Sequence, residues 1–330
     1  MDDTVKFLLR KGKVPHISCC KTHIGEIAVF REGCQKFLRI AGKYYKLRVI
    51  FISRFEHIKN AFAEDIGDGD HTTLCCIPED AMGCSVLIIK EEGIVAGVRV
   101  ALEVFKAFDP ELQTTVFIED GTKVKPGDIV FETRGRIRSL LQTERLMLNI
   151  MQHMSGIATT TQRYVQRLEG LHTRVIDTRK TTPGMRMLDK EAVVLGGGSN
   201  HRIGLYDMIL LKDNHIDFAG GIQAAIERCH QYLKEKGKEG MKIEIEVRNL
   251  DELQQVLEVG GVNRIMLDNF SPELTREAVK LIDGRFETES SGGITIDTLR
   301  NYAECGVDFI SVGALTHSVK GLDMSFKAKM

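Results

Sequence analysis

The sequence predicts an α/β protein: a small mixed α/β domain followed by a TIM-like barrel. Three observations carry that expectation. Between residues 171 and 317, six short apolar runs alternate with helical segments. From Glu246 onward the polar residues that end those runs recur about every 22 positions, the length of one helix plus one strand. Upstream, four strand-like runs surround a single short helix, a less regular plan. Strands and helices that alternate with short connections give a parallel sheet covered by helices. With this many units, closure into a barrel is the leading architecture.

Composition bounds the function. The chain has 330 residues, 43% hydrophobic and 28% charged, the balance of a globular protein with a sizeable core. No apolar run approaches the roughly 20 residues that span a bilayer, so no transmembrane helix and no membrane partner are expected. A net charge of −1 gives no general attraction to nucleic acid, and any anion binding has to be local. Eight cysteines form no CxxC pair. The adjacent pairs Cys19-Cys20 and Cys75-Cys76 are expected to diverge along an extended chain, so the thiols read as reduced ones in a cytoplasmic protein.

Residues 1–50 carry eleven Lys and Arg against four acids, about +7, and are read as a basic extension that is poorly ordered or outside the main fold, ahead of an added β/α element and, last, a nucleic-acid arm. In FISRFEHIKNAFAEDIG, Phe55, Ile58, Ala61 and Phe62 form a helical stripe that stops at Gly67, and GDGDHTT then reads as turn chemistry. Strand-like runs follow at 84–90, 93–98, 114–120 and 128–135, with a helix at 100–108. The boundaries expected are 51–140 for the mixed domain and 141–330 for the barrel domain. Across the junction, Ile137–Leu168 is a long helical pattern with Leu140, Leu141, Leu148, Met151 and Met154 on one face and a break near Ser155-Gly156. The methionines read as core or subunit contact. Arg145, on base rate, reads as a surface arginine.

The six barrel strands are expected at 172–178, 207–211, 242–247, 264–268, 285–290 and 307–312. Asn249, Ser271 with Pro272, and Thr295 are placed to open the helices between the later ones. Each strand ends in residues that do not suit a core: Arg179-Lys180, Lys212-Asp213, Glu246, Asp268, Ser291-Gly292-Gly293 and Gly313. In a barrel these ends share one mouth, where active sites form. Cations dominate the early strands, with His201 and Arg202 in the intervening GGGSNHR. Glycine-rich ESSGGIT and VGALTHS offer backbone N–H groups to a phosphate. Glu246 and Asp268 beside them fit either Mg²⁺ held partly by substrate phosphates, or stabilisation of positive charge developing on a sugar.

These residues lie in longer runs: EDIGDGDHTT (64–73), QTERLMLNIMQHMSGIAT (142–159), DTRKTTPGMR (177–186), GGGSNHRIGLYDMILLKDNH (196–215), IEVRN (245–249), IMLDN (265–269), SSGGI (290–294) and DFISVGALTHS (308–318). Together they resemble the nicotinate-nucleotide pyrophosphorylase, or quinolinate phosphoribosyltransferase, family from about residue 52 onward. The resemblance implies a mixed α/β, open-sandwich-like domain packed on an incomplete TIM-like barrel, with a C-terminal segment returning to the N-terminal domain. It implies quinolinate and phosphoribosyl pyrophosphate as substrates, Mg²⁺ and no organic cofactor, and a homodimer or larger homo-oligomer with shared active sites. Arg179, His201, Arg202 and Lys212 would hold quinolinate, with Arg145 arriving from the neighbouring subunit. Lys180, Glu246 and Asp268 would be the catalytic groups and address phosphoribosyl pyrophosphate, the two acids also addressing Mg²⁺, directly or through the substrate. Ser291, Gly292, Gly293 and Gly313, with His317 near, would grip the 5-phosphate. Two rivals are a same-fold relative of molybdenum-transport operons and a non-catalytic barrel that only binds. The complete cationic set disfavours the first, and intact Lys180, Glu246 and Asp268 the second.

Overall fold

The computed structural model describes residues 41–329, with side chains from Arg54 onward. The expectation for residues 1–40 lies outside the described residues. Helix α1, Ala41–Ile66, begins well before Phe51. Its apolar stripe is narrower than expected, because Ile58 is buried and Phe62 packs on Phe108 with ring centroids 5.1 Å apart, whereas Phe55 is half exposed. GDGDHTT is only half a turn: Asp70 caps a short helix α2, His71–Cys76, by accepting the Thr73 N–H. The Cys75 and Cys76 sulfurs therefore do not diverge along an extended chain but lie 3.5 Å apart at the end of that helix.

The first sheet is antiparallel. It contains β1 (Met82–Ile89), β3 (Gln113–Val116), β5 (Ile129–Arg136) and β12 (Met324–Ala328), in the order β12-β1-β5-β3. The last described strand thus pairs with β1, the first described one, Leu87 opposite Phe326. Helix α3, Val98–Phe108, covers this sheet: its Phe105 meets Phe131 edge-on at 5.9 Å and Phe326 at 6.1 Å. The run at 93–98 keeps only two strand residues, β2 (Gly93–Ile94), paired with β4 (Lys123–Val124). It stops there because Gly97 takes φ +95° and the Asp120 carboxylate accepts the Val98 and Arg99 N–H groups, which starts α3.

Helix α4, Ile137–Arg167, runs unbroken through the position where a break was expected. Gly156 serves packing: a Cβ there would lie 2.2 Å from the Lys320 carbonyl oxygen, so the missing side chain admits a second backbone. Met147, Met151 and Met154 are fully buried core residues, while Leu141, placed on the same face from sequence, is largely exposed.

The second sheet is parallel and built from β6 (Arg174–Ile176), β7 (Ile209–Leu211), β8 (Ile243–Val247), β9 (Arg264–Asp268), β10 (Glu287–Ser291) and β11 (Phe309–Ser311). All six expected strands are present, in the order β6-β11-β10-β9-β8-β7. The barrel is incomplete: β6 and β7 form the two edges and do not pair. Covering helices include α5 (Arg186–Leu195), α6 (Asp213–Ala219), α7 (Ile222–Glu235), α8 (Leu250–Val259) and α9 (Pro272–Ile282). Asn249 and Ser271 accept the capping N–H groups expected of them. Thr295 does not open its helix: α10 (Leu299–Ala303) starts later, because residues 295–298 close a turn through the Thr298 hydroxyl.

Candidate active site

The six strand ends meet in one cavity of about 790 Å³. Arg179, Lys180, His201, Arg202, Lys212, Glu246, Asp268, Ser291, Gly292, Gly293, Gly313 and His317 all line it. Arg145 does not; it is exposed on α4, and among the described residues nothing hydrogen-bonds or ion-pairs with its side chain. The residues singled out from strand ends therefore converge, and the one taken for a surface arginine lies outside this chain's cavity.

Going round the mouth in sheet order explains the local chemistry. Lys212 follows β7 and donates to Glu246 Oε2 of β8 at 2.7 Å. Asp268 ends the next strand, and burial and then the Glu246 charge push its carboxyl up, with Lys212 opposing. Two acids on adjacent strands repel, and a cation between them and a polyanionic ligand would relieve that. Asn269 then adopts φ +56°, a backbone region that asparagine tolerates better than most residues, and donates to Asp268 Oδ2 at 2.7 Å. Its side chain occupies the space beside Gly292, whose own φ is +101°.

Gly313 follows β11, and a Cβ there would press at 3.1 Å on both the Lys180 Cδ and the His317 ring. The absent side chain leaves room for the lysine stem and the His317 ring to pass. Thr316 accepts nothing from that lysine side chain but donates to the Lys180 carbonyl at 2.9 Å, which fixes the turn after β6. Arg179 and Lys180 side chains have no protein partner among the described residues and stand ready for an anion. Arg202 is partly buried, and burial and then Arg179 depress its pKa, although a guanidinium remains charged. Two guanidinium groups held this close would be relieved by an anion between them.

His201 is placed differently from its neighbours. Its side chain is 6% exposed, with Nε2 2.9 Å from Glu244 and 3.5 Å from Glu289, while Nδ1 accepts the Arg202 N–H at 2.7 Å. Burial pulls the ring down, but the two glutamates outweigh it and hold it up at about 9, and Glu244 itself is raised to about 7, first by burial and then by Glu289. Among the described residues, Nε2 and both Glu244 carboxylate oxygens are buried without a hydrogen-bond partner, so this cluster is held by charge and not by closed hydrogen bonds. Arg264 completes this floor, 3.0 Å from Glu289 and stacked over the Phe309 ring. Nδ1 is thus occupied by the Arg202 backbone, while the His201 ring lines the cavity with Nε2 close to the two glutamates.

Glu244, Glu289, Arg264 and Asn269 were not singled out from sequence. A signal existed for Glu244, which shares a strand face with Glu246 in KIEIEV. Asn269 follows Asp268 directly, and asparagine after a strand end is a candidate for positive φ.

Family models described as "Quinolinate phosphoribosyl transferase, N-terminal domain" and "Quinolinate phosphoribosyl transferase, C-terminal domain" match residues 70–155 and 157–327. A chloroplastic nicotinate-nucleotide pyrophosphorylase [carboxylating] of Oryza sativa subsp. japonica is 45% identical over 286 residues, 82% of this chain and 76% of the relative. A probable nicotinate-nucleotide pyrophosphorylase [carboxylating] of Bacillus subtilis (strain 168) is 41% identical over 268 residues, 81% of this chain and 91% of the relative. Among solved structures, the nicotinate-nucleotide pyrophosphorylase from Francisella tularensis superposes with a TM-score of 0.79 at 40% identity, covering 84% of this chain and 96% of that one.

Proposed function

This chain belongs to the quinolinate phosphoribosyltransferase family, and from that premise we infer that it converts quinolinate and phosphoribosyl pyrophosphate to nicotinate mononucleotide, pyrophosphate and carbon dioxide. It is a pentosyltransferase of de novo NAD biosynthesis. The observation that carries the reading is one mouth in which Arg179, Lys180, Arg202 and Lys212 stand beside Glu246 and Asp268.

A dianionic pyridine and a polyanionic sugar repel each other, and only a dense cationic pocket brings them together. Arg179 and Arg202 suit the planar carboxylates, since each guanidinium fork can bond both oxygens. Lys212, already paired with Glu246, sits where the two substrates meet. His201 completes the quinolinate wall and accepts the Arg202 N–H. Lys180 faces the departing pyrophosphate, and Ser291, Gly292, Gly293 and Gly313, with His317 near, cradle the 5-phosphate. Glu246 and Asp268 face the ribose, where positive charge develops as the bond to pyrophosphate breaks. They are also the residues that would hold Mg²⁺, directly or through the substrate phosphates; when bound, the ion neutralises charge on the leaving group. The pyridine nitrogen then bonds to C1. The quaternary nitrogen lets the ring accept the electron pair left as the adjacent carboxylate departs as carbon dioxide, and that carbon takes a proton. No organic cofactor is needed, and positioning supplies much of the rate.

The same reading includes a homodimer, or a larger assembly of dimers, in which a partner's Arg145 reaches the quinolinate pocket. Its support is the bare, exposed arginine on α4. A cytoplasmic location fits the free thiols of Cys75, Cys76, Cys84, Cys229 and Cys305.

The test is direct. Incubation with quinolinate, phosphoribosyl pyrophosphate and Mg²⁺ is expected to yield nicotinate mononucleotide, chelation of the ion to suppress it, and nicotinate in place of quinolinate to give none. Arg179→Ala is expected to abolish turnover while circular dichroism stays native. Absence of product from the intact protein, or near-normal turnover by the variant, overturns the reading or its carboxylate assignment respectively.

A further inference from the structure

The barrel has an open seam. Strands β6 and β7 are its two edges, and the segment from Gly196 to Met208 that leads from α5 into β7 carries both His201 and Arg202. At its start this segment imitates a strand: Ser199 N–H donates to the Val175 carbonyl at 2.9 Å, and Asp177 N–H to the Ser199 carbonyl at 3.1 Å. There the ladder ends, one residue short of the cavity wall.

Side chains take over from it. Asp177 is fully buried and its Oδ1 accepts the His201 N–H at 2.8 Å. The same oxygen pairs with the Lys190 ammonium, which is 1% exposed and also donates to the His201 carbonyl at 3.3 Å. With its amide turned so that nitrogen donates, Asn200 reaches Asp177 Oδ2 at 2.5 Å and the Lys190 carbonyl at 2.9 Å. Both backbone groups of His201 are thus held by one buried ion pair. Its neighbour on α5, Asp189, does the matching task on the other wall, accepting the Thr182 N–H at 3.1 Å just beyond Arg179 and Lys180.

Burying a full ion pair costs much of what the attraction returns, and apolar residues of similar volume often stabilise a core as well or better. A pair placed where the ladder stops, with every bond directed at the His201 segment, is therefore better explained by geometry than by stability. We propose that Asp177 and Lys190 are positioning residues for quinolinate: they replace the missing strand pairing across the seam and set the backbone of His201 and Arg202, so that affinity for the dicarboxylate depends on them and affinity for phosphoribosyl pyrophosphate does not. This rests on the quinolinate reading above.

Single substitutions leave a lone buried charge and endanger the fold. The informative protein is Asp177→Val with Lys190→Met, which removes both charges together with the acceptor for His201. Its KM for quinolinate is expected to rise about tenfold or more, with the KM for phosphoribosyl pyrophosphate within about twofold of the original, the pattern of lost ground-state binding to one substrate. Asp177→Asn with Lys190→Met keeps an acceptor for the His201 N–H and should recover part of the loss. If the first protein does not fold, the second is decisive alone, with an expected quinolinate KM about fivefold above the original. An unchanged quinolinate KM, or an equal rise in both constants, overturns the proposal. Failure of the unsubstituted protein to make nicotinate mononucleotide would instead overturn the reading on which it rests.

Discussion

At Gly292 the requirement for glycine is set by another residue. A Cβ at that position would lie 2.1 Å from Asn269 Oδ1 and 2.9 Å from the Asn269 backbone nitrogen, and φ is +101°. Relief means moving Asn269, which aims the Asp268 carboxylate. Gly293 also has positive φ, +60°, but nothing lies within 4 Å of its missing Cβ. Gly292→Ala is therefore expected to raise the KM for phosphoribosyl pyrophosphate about tenfold and to lower kcat, whereas Gly293→Ala, with about 1 kcal/mol of backbone strain alone, should have a much smaller effect. Steady-state kinetics on both variants decides it; equal effects would mean that Asn269 yields freely. The sequence showed the glycines because SSGGI interrupts a strand pattern, but it could not show Asn269 against them, 23 positions upstream of Gly292. His201 teaches the same lesson in reverse. Its residue type and neighbours suit a carboxylate ligand, and only the three-dimensional fold reveals Glu244 and Glu289 within 2.9 and 3.5 Å of its Nε2.

Elements with strong local punctuation were readable. Ser271-Pro272 and Asn249 cap their helices because short polar side chains satisfy N–H groups within their own segment. Helix α4 was misread for the complementary reason, since Ser155-Gly156 looks like a break when only helix propensity is weighed. Glycine normally costs a helix interior about 1 kcal/mol relative to alanine. Here that cost is outweighed by the approach of the Lys320–Gly321 backbone, which a Cβ at Gly156 would meet at 2.2 Å. Gly156→Ala should thus destabilise by about 1–3 kcal/mol despite the better propensity, because backbone on both sides can yield only by repacking. Thermal unfolding would show it as a melting temperature lower by several degrees. A higher melting temperature would mean that the C-terminal turn moves aside at little cost. Asp109, just past the end of α3, accepts from Ser139 of α4 and offers a second check. Burial would raise its carboxyl, but bonds from Arg136 and Ser139 prevail and hold it below the usual value of 3.8. Its stabilising contribution is therefore present above pH 3.8 and lost as the pH falls through the depressed folded-state value. Asp109→Asn should cost about 2 kcal/mol at neutral pH and flatten the acid limb of the stability profile, measured by denaturant titration across pH.

On the scale of the whole molecule, six parallel strands could be counted from their spacing, but where the sheet opens could not. Edges depend on which strands pair, and β6 and β7 are consecutive in sequence yet unpaired in the fold. Quaternary structure lies further still from local sequence. Arg145 and Leu141 are exposed on one face of α4, a turn apart, while the methionines behind them are core. In the proposed homodimer each cavity takes Arg145 from the opposite subunit, which makes the arrangement separable by complementation. Arg145→Ala and Lys180→Ala homodimers should each be nearly inactive. When the two chains are co-expressed and associate at random, half of the dimers are mixed. In each mixed dimer one site combines an intact Lys180 with an intact Arg145 from across the interface, and the other lacks both. Activity should therefore return to about one quarter of the original, a ratio set by twofold symmetry and independent of the chemistry. Recovery of that size, with the KM values of the unsubstituted protein, requires a shared site. If co-expression leaves activity at the level of the parent variants, Arg145 acts within its own chain and the shared-site arrangement fails, while the roles of Arg179 and the seam pair stand or fall by their own tests.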